Sequence, residues 1–172
     1  MEYEIRTRSY SYAVPPRSLD AQQGLSGFEV LKRILAGELP PPPMVSTAGI
    51  ELARVDPGEV AFEAEPAEWA ENAHGSLHGG WVATILDSAL GCAVLSALKP
   101  GLMHTTATLE VKYVRAVLVT SGRLRAEARV VHVGSRVAVA EGRLVSGADG
   151  KLYATGTTTC IVFEARESSP AR

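Results

Sequence analysis

One carboxylate interrupts the most apolar segment of this 172-residue chain. Asp87 lies within "WVATILDSALGCAVLSAL", residues 81 to 98. A carboxylate in such a segment either accepts hydrogen bonds as a structural group or abstracts a proton as a general base. Its neighbours one helical turn away, Thr84 and Gly91, are small and leave space beside it. Partial removal from water suits a base that acts near neutral pH, so Asp87 is the first candidate catalytic residue.

A group of backbone donors precedes this carboxylate at the start of the same predicted helix. The sequence "HGG" comprises His78, Gly79 and Gly80. The first N–H groups of a helix have no intrahelical acceptor and lie at the positive end of its dipole. Glycine lets a ligand oxygen approach them closely, so they can stabilise an oxyanion in acyl transfer. The alternative is a flexible turn into the helix; the nearby carboxylate favours the catalytic interpretation.

The separation between the donors and the base predicts that two chains form one site. Nine residues of helix separate His78 from Asp87, which is roughly 13 Å of axial rise. One bound carbonyl group cannot meet both within a single chain. We therefore expect at least a homodimer, in which the second copy also covers exposed sheet edges.

The helix that positions these groups, from about 78 to 98, is apolar on all sides and must be enclosed. Its apolar part just reaches the length of a membrane span, but Asp87 and strand-like flanks argue against one. Two short strands joined by the turn "DPG" at 56–58 precede it. Four alternating segments follow from Thr105, with the hairpin turn "GADG" at 147–150. This order predicts an α+β fold in which a curved antiparallel sheet wraps around one long central helix.

The N-terminal quarter differs in composition from the rest and divides the chain. The first residues show no sustained periodicity of apolar side chains. A short amphipathic helix follows, and Ser26 and Glu29 form a capping box at its start. Prolines then predict an extended spacer at 39–44. We expect an N-terminal arm with this helix and spacer at 1–45, one folded domain at 46–165 and a C-terminal tail at 166–172.

The overall composition excludes several classes of function. The chain is 46% hydrophobic, 21% charged and has a formal net charge of −2. Its basic residues are not concentrated into a basic face, so we expect no nucleic-acid partner. The two cysteines, Cys92 and Cys160, have neither metal-ligand spacing nor a disulfide framework. The N-terminus has no apolar centre typical of a secretory signal. We expect a cytoplasmic protein without a metal cofactor and without a membrane partner.

The motifs around the helix resemble those of the PaaI-like hotdog-fold acyl-CoA thioesterases. The pattern N-x-x-G-x-x-H-G-G followed by an aspartate is similar to the signature of that family. The later strand T-x-x-L-x-V-x-Y-x-R, from Thr106 to Arg115, and the segment from the "GSR" turn to the Thr-rich strand are similar as well. The resemblance covers about 46–163. It implies a hotdog fold, dimers with active sites at the interface, often paired into dimers of dimers, and metal-free hydrolysis of acyl-CoA thioesters, CoA being part of the substrate.

The resemblance also implies a role for each residue of the motif. Asp87 would activate water as a general base, or act as the nucleophile that forms a mixed anhydride. The N–H of Gly79, alone or with that of Gly80, would polarise the thioester carbonyl. Asn72 would orient the water or Asp87 of the partner subunit, and His78 would support the loop or contact the thioester. The hydroxyl of Thr106, or of its neighbour Thr105, would hold the water. Arg136 would bind the CoA phosphates. A solvated hairpin arginine is the alternative for Arg136.

Two other functions remain open on this fold. Hydratases and dehydratases pair a histidine with a carboxylate, but His78 lies where the helix dipole disfavours a protonated imidazole. A non-catalytic acyl-CoA sensor usually carries a DNA-binding unit, and the first 45 residues are too few for a helix-turn-helix. The acyl group itself depends on pocket walls, for which Trp81, Leu90 and Met103 are candidates.

Overall fold

The structure is a computed structural model that describes residues 4–14 and 24–165. The predicted tail at 166–172 lies outside these residues. The helices are α1 (Gly27–Leu35), α2 (Pro43–Ala48) and α3 (Gly79–Ser96), and the strands are β1 (Ile50–Asp56), β2 (Glu59–Ala64), β3 (Leu102–Tyr113), β4 (Leu124–Val133), β5 (Val137–Ser146) and β6 (Leu152–Glu164). All strand pairs are antiparallel, in the order β1-β2-β4-β5-β6-β3. The predicted α+β architecture is confirmed.

The sheet encloses α3, which contacts all six strands. Its inward side chains have no solvent exposure, among them Ile85, Leu86, Leu90 and Val94. Gly156 on β6 permits a close approach, because a Cβ there would lie 3.2 Å from the Cδ1 of Leu90. The helix is long and apolar enough to cross a membrane, with a mean hydropathy of 1.4 over 18 residues. Burial inside the sheet accounts for this apolar composition.

Helix α1 packs directly on α3 and belongs to the same core. Its predicted capping box is present, since the Ser26 hydroxyl accepts from the Glu29 N–H and the Glu29 carboxylate accepts from the Ser26 N–H. A Cβ on Gly27 would lie only 1.9 Å from the Leu95 carbonyl oxygen, so this contact requires glycine. Leu31 is buried in the main core.

The proline spacer is shorter than predicted. Helix α2 begins at Pro43, so the expectation of extended chain through residue 44 is wrong at its last two positions. Proline is favoured at the first helical position because its missing N–H would have no acceptor there.

Arg6 and Arg8, near the N-terminus, contact the short helical turn Glu68–Ala70. The Arg6 guanidinium donates to both carboxylate oxygens of Glu68, each at 2.9 Å. The Arg8 guanidinium stacks 3.5 Å from the ring centre of Trp69. These contacts hold the arm against the segment that leads into the loop before α3.

Strand β3 forms one edge of the sheet and contains a β-bulge. The register with β6 shifts between Thr106 and Thr108. Strict alternation would turn Thr106 and Leu109 to opposite faces, but the extra residue, Ala107, lets both face α3. Ala107 itself is exposed.

Candidate active site

The start of α3 is built around His78, which is the N-cap residue of the helix. Its Nδ1 accepts a hydrogen bond from the Gly80 N–H at 2.9 Å. Its backbone N–H donates to the Ala70 carbonyl at 2.7 Å. His78 therefore fixes the helix start, and the Gly80 N–H is occupied in this arrangement.

Gly79 holds the open donor at the helix start. Within residues 4–14 and 24–165, its N–H donates to no acceptor, while its carbonyl accepts a 2.8 Å hydrogen bond from the Tyr113 hydroxyl. A Cβ at this position would lie 3.2 Å from that hydroxyl, so Tyr113 packs closely on the bare backbone. Gly79 and Tyr113 also line a cavity of about 310 Å³ that reaches Arg115 and Tyr153.

Asn72 closes the loop that leads into the helix. Its Oδ1 accepts from the His74 N–H at 2.8 Å and from the Ser76 N–H at 3.4 Å, and its Nδ2 donates to the Ser76 hydroxyl at 3.0 Å. Gly75 completes the turn with a φ of 75°, which favours glycine. The amide thus shapes the loop and keeps one Nδ2 hydrogen for another acceptor.

Asp87 lies half-buried near the middle of α3, facing β3. The Thr106 hydroxyl donates to its Oδ1 at 3.1 Å. Thr105 is opposite Ile161, an exposed residue on the outer face of the sheet. The structure therefore separates these two neighbouring threonines and places only Thr106 at the carboxylate.

His104 lies beside the same part of α3, one helical turn beyond Asp87. A Cβ on Gly91 would come within 3.2 Å of its Nε2. Its Nδ1 is buried and has no hydrogen-bond partner among the described residues. Burial lowers the pKa of the imidazole, and the nearby negative charge of Asp87 partly opposes this. At neutral pH the ring is therefore neutral.

Two thiols flank this region. Burial raises the pKa of Cys92 to about 12, with a further contribution from Asp87. Burial also raises the pKa of Cys160. Both thiols are protonated at neutral pH and are poor nucleophiles. In the described part of the chain, no three His, Cys, Asp or Glu side chains are grouped so that they could hold a metal ion.

The other predicted residues lie elsewhere. Arg136 is exposed in the hairpin between β4 and β5, and its carbonyl accepts from the Val162 N–H at 2.9 Å. Trp81 is a core residue, since its Nε1 donates to the Ala48 carbonyl at 2.9 Å. Leu90 is fully buried, and Met103 pairs with the exposed Phe163. None of the three proposed pocket walls lines the cavity beside Gly79.

The predicted residues thus fall into two groups along the central helix. Asn72, His78 and Gly79 belong to the helix start. Asp87 lies eight residues after Gly79, about 12 Å in axial rise, with Thr106 of β3 beside it. Sequence reasoning missed His104 and the role of Tyr113. His104 precedes Thr106 by two positions on one strand, which was the available signal.

Comparisons with known proteins identify the family and the fold. The family model described as the thioesterase superfamily matches residues 74–153. A predicted esterase of Halobacterium salinarum is 37% identical over 111 residues, which are 62% of this chain and 72% of the relative.

Solved structures are similar over most of their length. A predicted thioesterase of Ralstonia eutropha, related to phenylacetic acid degradation, is 31% identical with a TM-score of 0.68, and the match covers 76% of this chain and 98% of that one. A mutant of the phenylacetic acid degradation protein PaaI of Thermus thermophilus is 27% identical with a TM-score of 0.63, covering 70% and 98%. This chain belongs to the thioesterase superfamily and has the fold of its PaaI-like hotdog thioesterases.

Proposed function

We propose that this protein hydrolyses acyl-CoA thioesters to a free acid and CoA. The observation that carries the proposal is the pairing of Thr106 with Asp87 on the helix whose start presents the open Gly79 N–H. A restrained carboxylate and an unpaired backbone donor are the two groups that acyl transfer to water requires.

In the proposed reaction, the thioester carbonyl oxygen accepts a hydrogen bond from Gly79. Asp87 removes a proton from water while the water oxygen bonds to the carbonyl carbon. The tetrahedral intermediate then collapses, the C–S bond breaks, and the CoA thiolate takes the proton from Asp87. Thr106 restrains the carboxylate by its hydrogen bond. Direct attack by Asp87, followed by hydrolysis of the anhydride, is the alternative with the same groups.

A homodimer would complete the site. Edge strand β3 is 12 residues long and exposes Thr105, Thr108 and Tyr113. A long edge without a partner strand or cover within the described chain favours pairing with another copy. We propose that β3 edges pair in the dimer, so that Gly79 of one protomer meets Asp87 of the partner subunit. The outer face of the sheet carries ion pairs such as that of Arg143 with Glu127. Because this face presents charges of both signs, we propose that two dimers associate through it.

The relatives narrow the substrate class. Two of the similar structures belong to proteins of phenylacetic acid degradation, so aryl-acetyl thioesters are the first substrates to test.

We propose that Arg136, which is exposed and has no ion-pair partner in the described residues, binds the CoA phosphates.

The proximity of His104 to Asp87 favours one second candidate, a hydratase that acts on enoyl-CoA. A histidine and a carboxylate near one another can exchange a proton with a carbon next to a carbonyl group. The family match is to thioesterases, so we rank this function below hydrolysis.

A substrate screen tests both candidates. Aryl-, short-, medium- and long-chain acyl-CoAs are offered and free thiol is measured, with loss of enoyl absorbance as the parallel assay for hydration. We expect thiol release with at least one acyl-CoA and its loss in Asp87→Asn, with CoA binding retained. Undiminished hydrolysis by Asp87→Asn would exclude the proposed base, and CoA binding without turnover would indicate an acyl-CoA sensor.

A further inference from the structure

Two residue pairs face each other between α3 and β3. Thr106 reaches Asp87, and His104, two residues earlier on the strand, reaches Gly91, four residues later on the helix. Positions two apart on a strand and four apart on a helix each share a face. The four residues therefore line one continuous polar strip along the side of α3.

Gly91 is what admits the imidazole. A Cβ at this position would lie 3.2 Å from Nε2, tighter than an ordinary contact. Within the helix no turn or left-handed conformation requires glycine at 91, and glycine is unfavourable in a helix interior. The space it leaves is occupied by His104, one helical turn from Asp87.

The ring is neutral and incompletely satisfied. The charged group that acts on it is Asp87. Cys92 on α3 and Cys160 on β6 lie near the same carboxylate, and both thiols are protonated at neutral pH. The buried Nδ1 has no partner among the described residues. A buried ring nitrogen without a partner costs stability, so packing alone does not explain a histidine here.

We infer that His104 is a third catalytic group of the Asp87 site and holds the attacking water through Nε2. This inference rests on the proposed hydrolysis. The water donates one hydrogen to Asp87 and the other to Nε2, which leaves a lone pair on oxygen free to attack the carbonyl carbon. Asp87 takes the proton, while His104 stays neutral and orients the water throughout.

Two substitutions separate this role from packing. His104→Phe keeps the ring volume and removes both nitrogens, whereas His104→Gln retains a polar group that reaches the position of Nε2. We expect His104→Phe to lower kcat roughly 10- to 100-fold, because the water loses its orientation, with KM changed less than about twofold. The melting temperature should not fall, since an unpaired buried nitrogen is removed. His104→Gln should recover most of the lost kcat.

The controls distinguish failure of this inference from failure of the proposed function. His132→Phe changes an exposed histidine on β4 and should leave kcat unaltered. If Asp87→Asn loses hydrolysis while His104→Phe keeps kcat within about twofold of the wild type, the role of His104 is wrong and the thioesterase remains. If the wild-type protein releases thiol from no acyl-CoA, both fall together. Equal losses in His104→Phe and His104→Gln would also overturn the inference.

Discussion

The Thr106 hydroxyl donates a 3.1 Å hydrogen bond to Oδ1 of Asp87, and this bond joins the edge strand to the central helix. It depends on the β-bulge at Ala107. Thr106 and Leu109 are three residues apart and would face opposite sides of a regular strand, but the bulge turns both toward α3. A free carboxylate could rotate about its side-chain bonds. The bond restrains Asp87 beside β3, the edge strand that pairs only with β6 within the described residues.

Loss of this bond should reduce the rate of hydrolysis. Thr106→Val keeps the shape of the side chain and removes the donor, and we expect kcat to fall about 10-fold, the effect of one hydrogen bond to a charged group. Thr106→Ser should retain most activity. Steady-state kinetics on the best acyl-CoA substrate check this. If Thr105→Val, on the outer face, loses the activity instead, the assignment of the threonine is wrong.

The N–H of Gly79 can be removed without breaking the helix. His78 has φ −63° and ψ 134°, which suits a residue before proline, and proline is favoured at the first helical position. Gly79→Pro should lower kcat about 10²- to 10³-fold by removing one oxyanion donor.

Gly79→Ala is the matched control for this substitution. It adds the same carbon beside Tyr113 but keeps the N–H, so it should retain more activity than Gly79→Pro. Equal kcat values in the two variants would show that crowding against Tyr113, rather than the donor, limits the reaction. Circular dichroism of both variants checks that the helix is intact.

The buried imidazole of His104 predicts a specific pH dependence of stability. Its pKa is lowered from 6.5 in the folded chain by burial, so the unfolded chain takes up the proton first. The resulting stability is complete above 6.5 and is lost as the pH falls from 6.5 through the folded-state pKa. Thermal unfolding of the wild type and His104→Gln, followed from about pH 8 to about pH 5, should show a steeper decline for the wild type. Parallel curves would contradict this burial.

Neither cysteine should react in the folded protein. The pKa of Cys92 is raised to about 12 and that of Cys160 is also raised, so thiolate is scarce at neutral pH. We expect slow labelling by a disulfide reagent in buffer and rapid labelling of both thiols in denaturant. Rapid labelling of the native protein would contradict the raised pKa values of the two thiols. It would also interfere with assays that detect the CoA thiol.

The secondary structure was largely accessible from the sequence, because alternation and turn residues act locally. The central helix, the turns at 56–58 and 147–150, and the capping box of Ser26 with Glu29 were predicted and are present. Pro43 was assigned to extended chain, although proline can also begin a helix. Composition could not decide between these two uses of proline.

The site was less accessible, because its contacts join distant elements. Simple alternation would have turned Thr106 away from the core, and only the tertiary pairing with β6 reveals the bulge that reverses it. His104 was missed because its importance depends on the missing side chain at Gly91, which lies on another element. Asn72 was assigned a role toward water, and its visible bonds close its own loop. Its remaining hydrogen still permits the predicted role.

A mixed dimer tests most directly whether the base and the oxyanion donor come from different chains. Asp87→Asn and Gly79→Pro chains carrying different tags are co-expressed, and the heterodimer is isolated through both tags. Each variant homodimer should be nearly inactive. The heterodimer should regain about half of the wild-type kcat, because one of its two sites combines the intact Asp87 of one protomer with the intact Gly79 of the other. A heterodimer as inactive as both homodimers would show that the two groups act within a single chain.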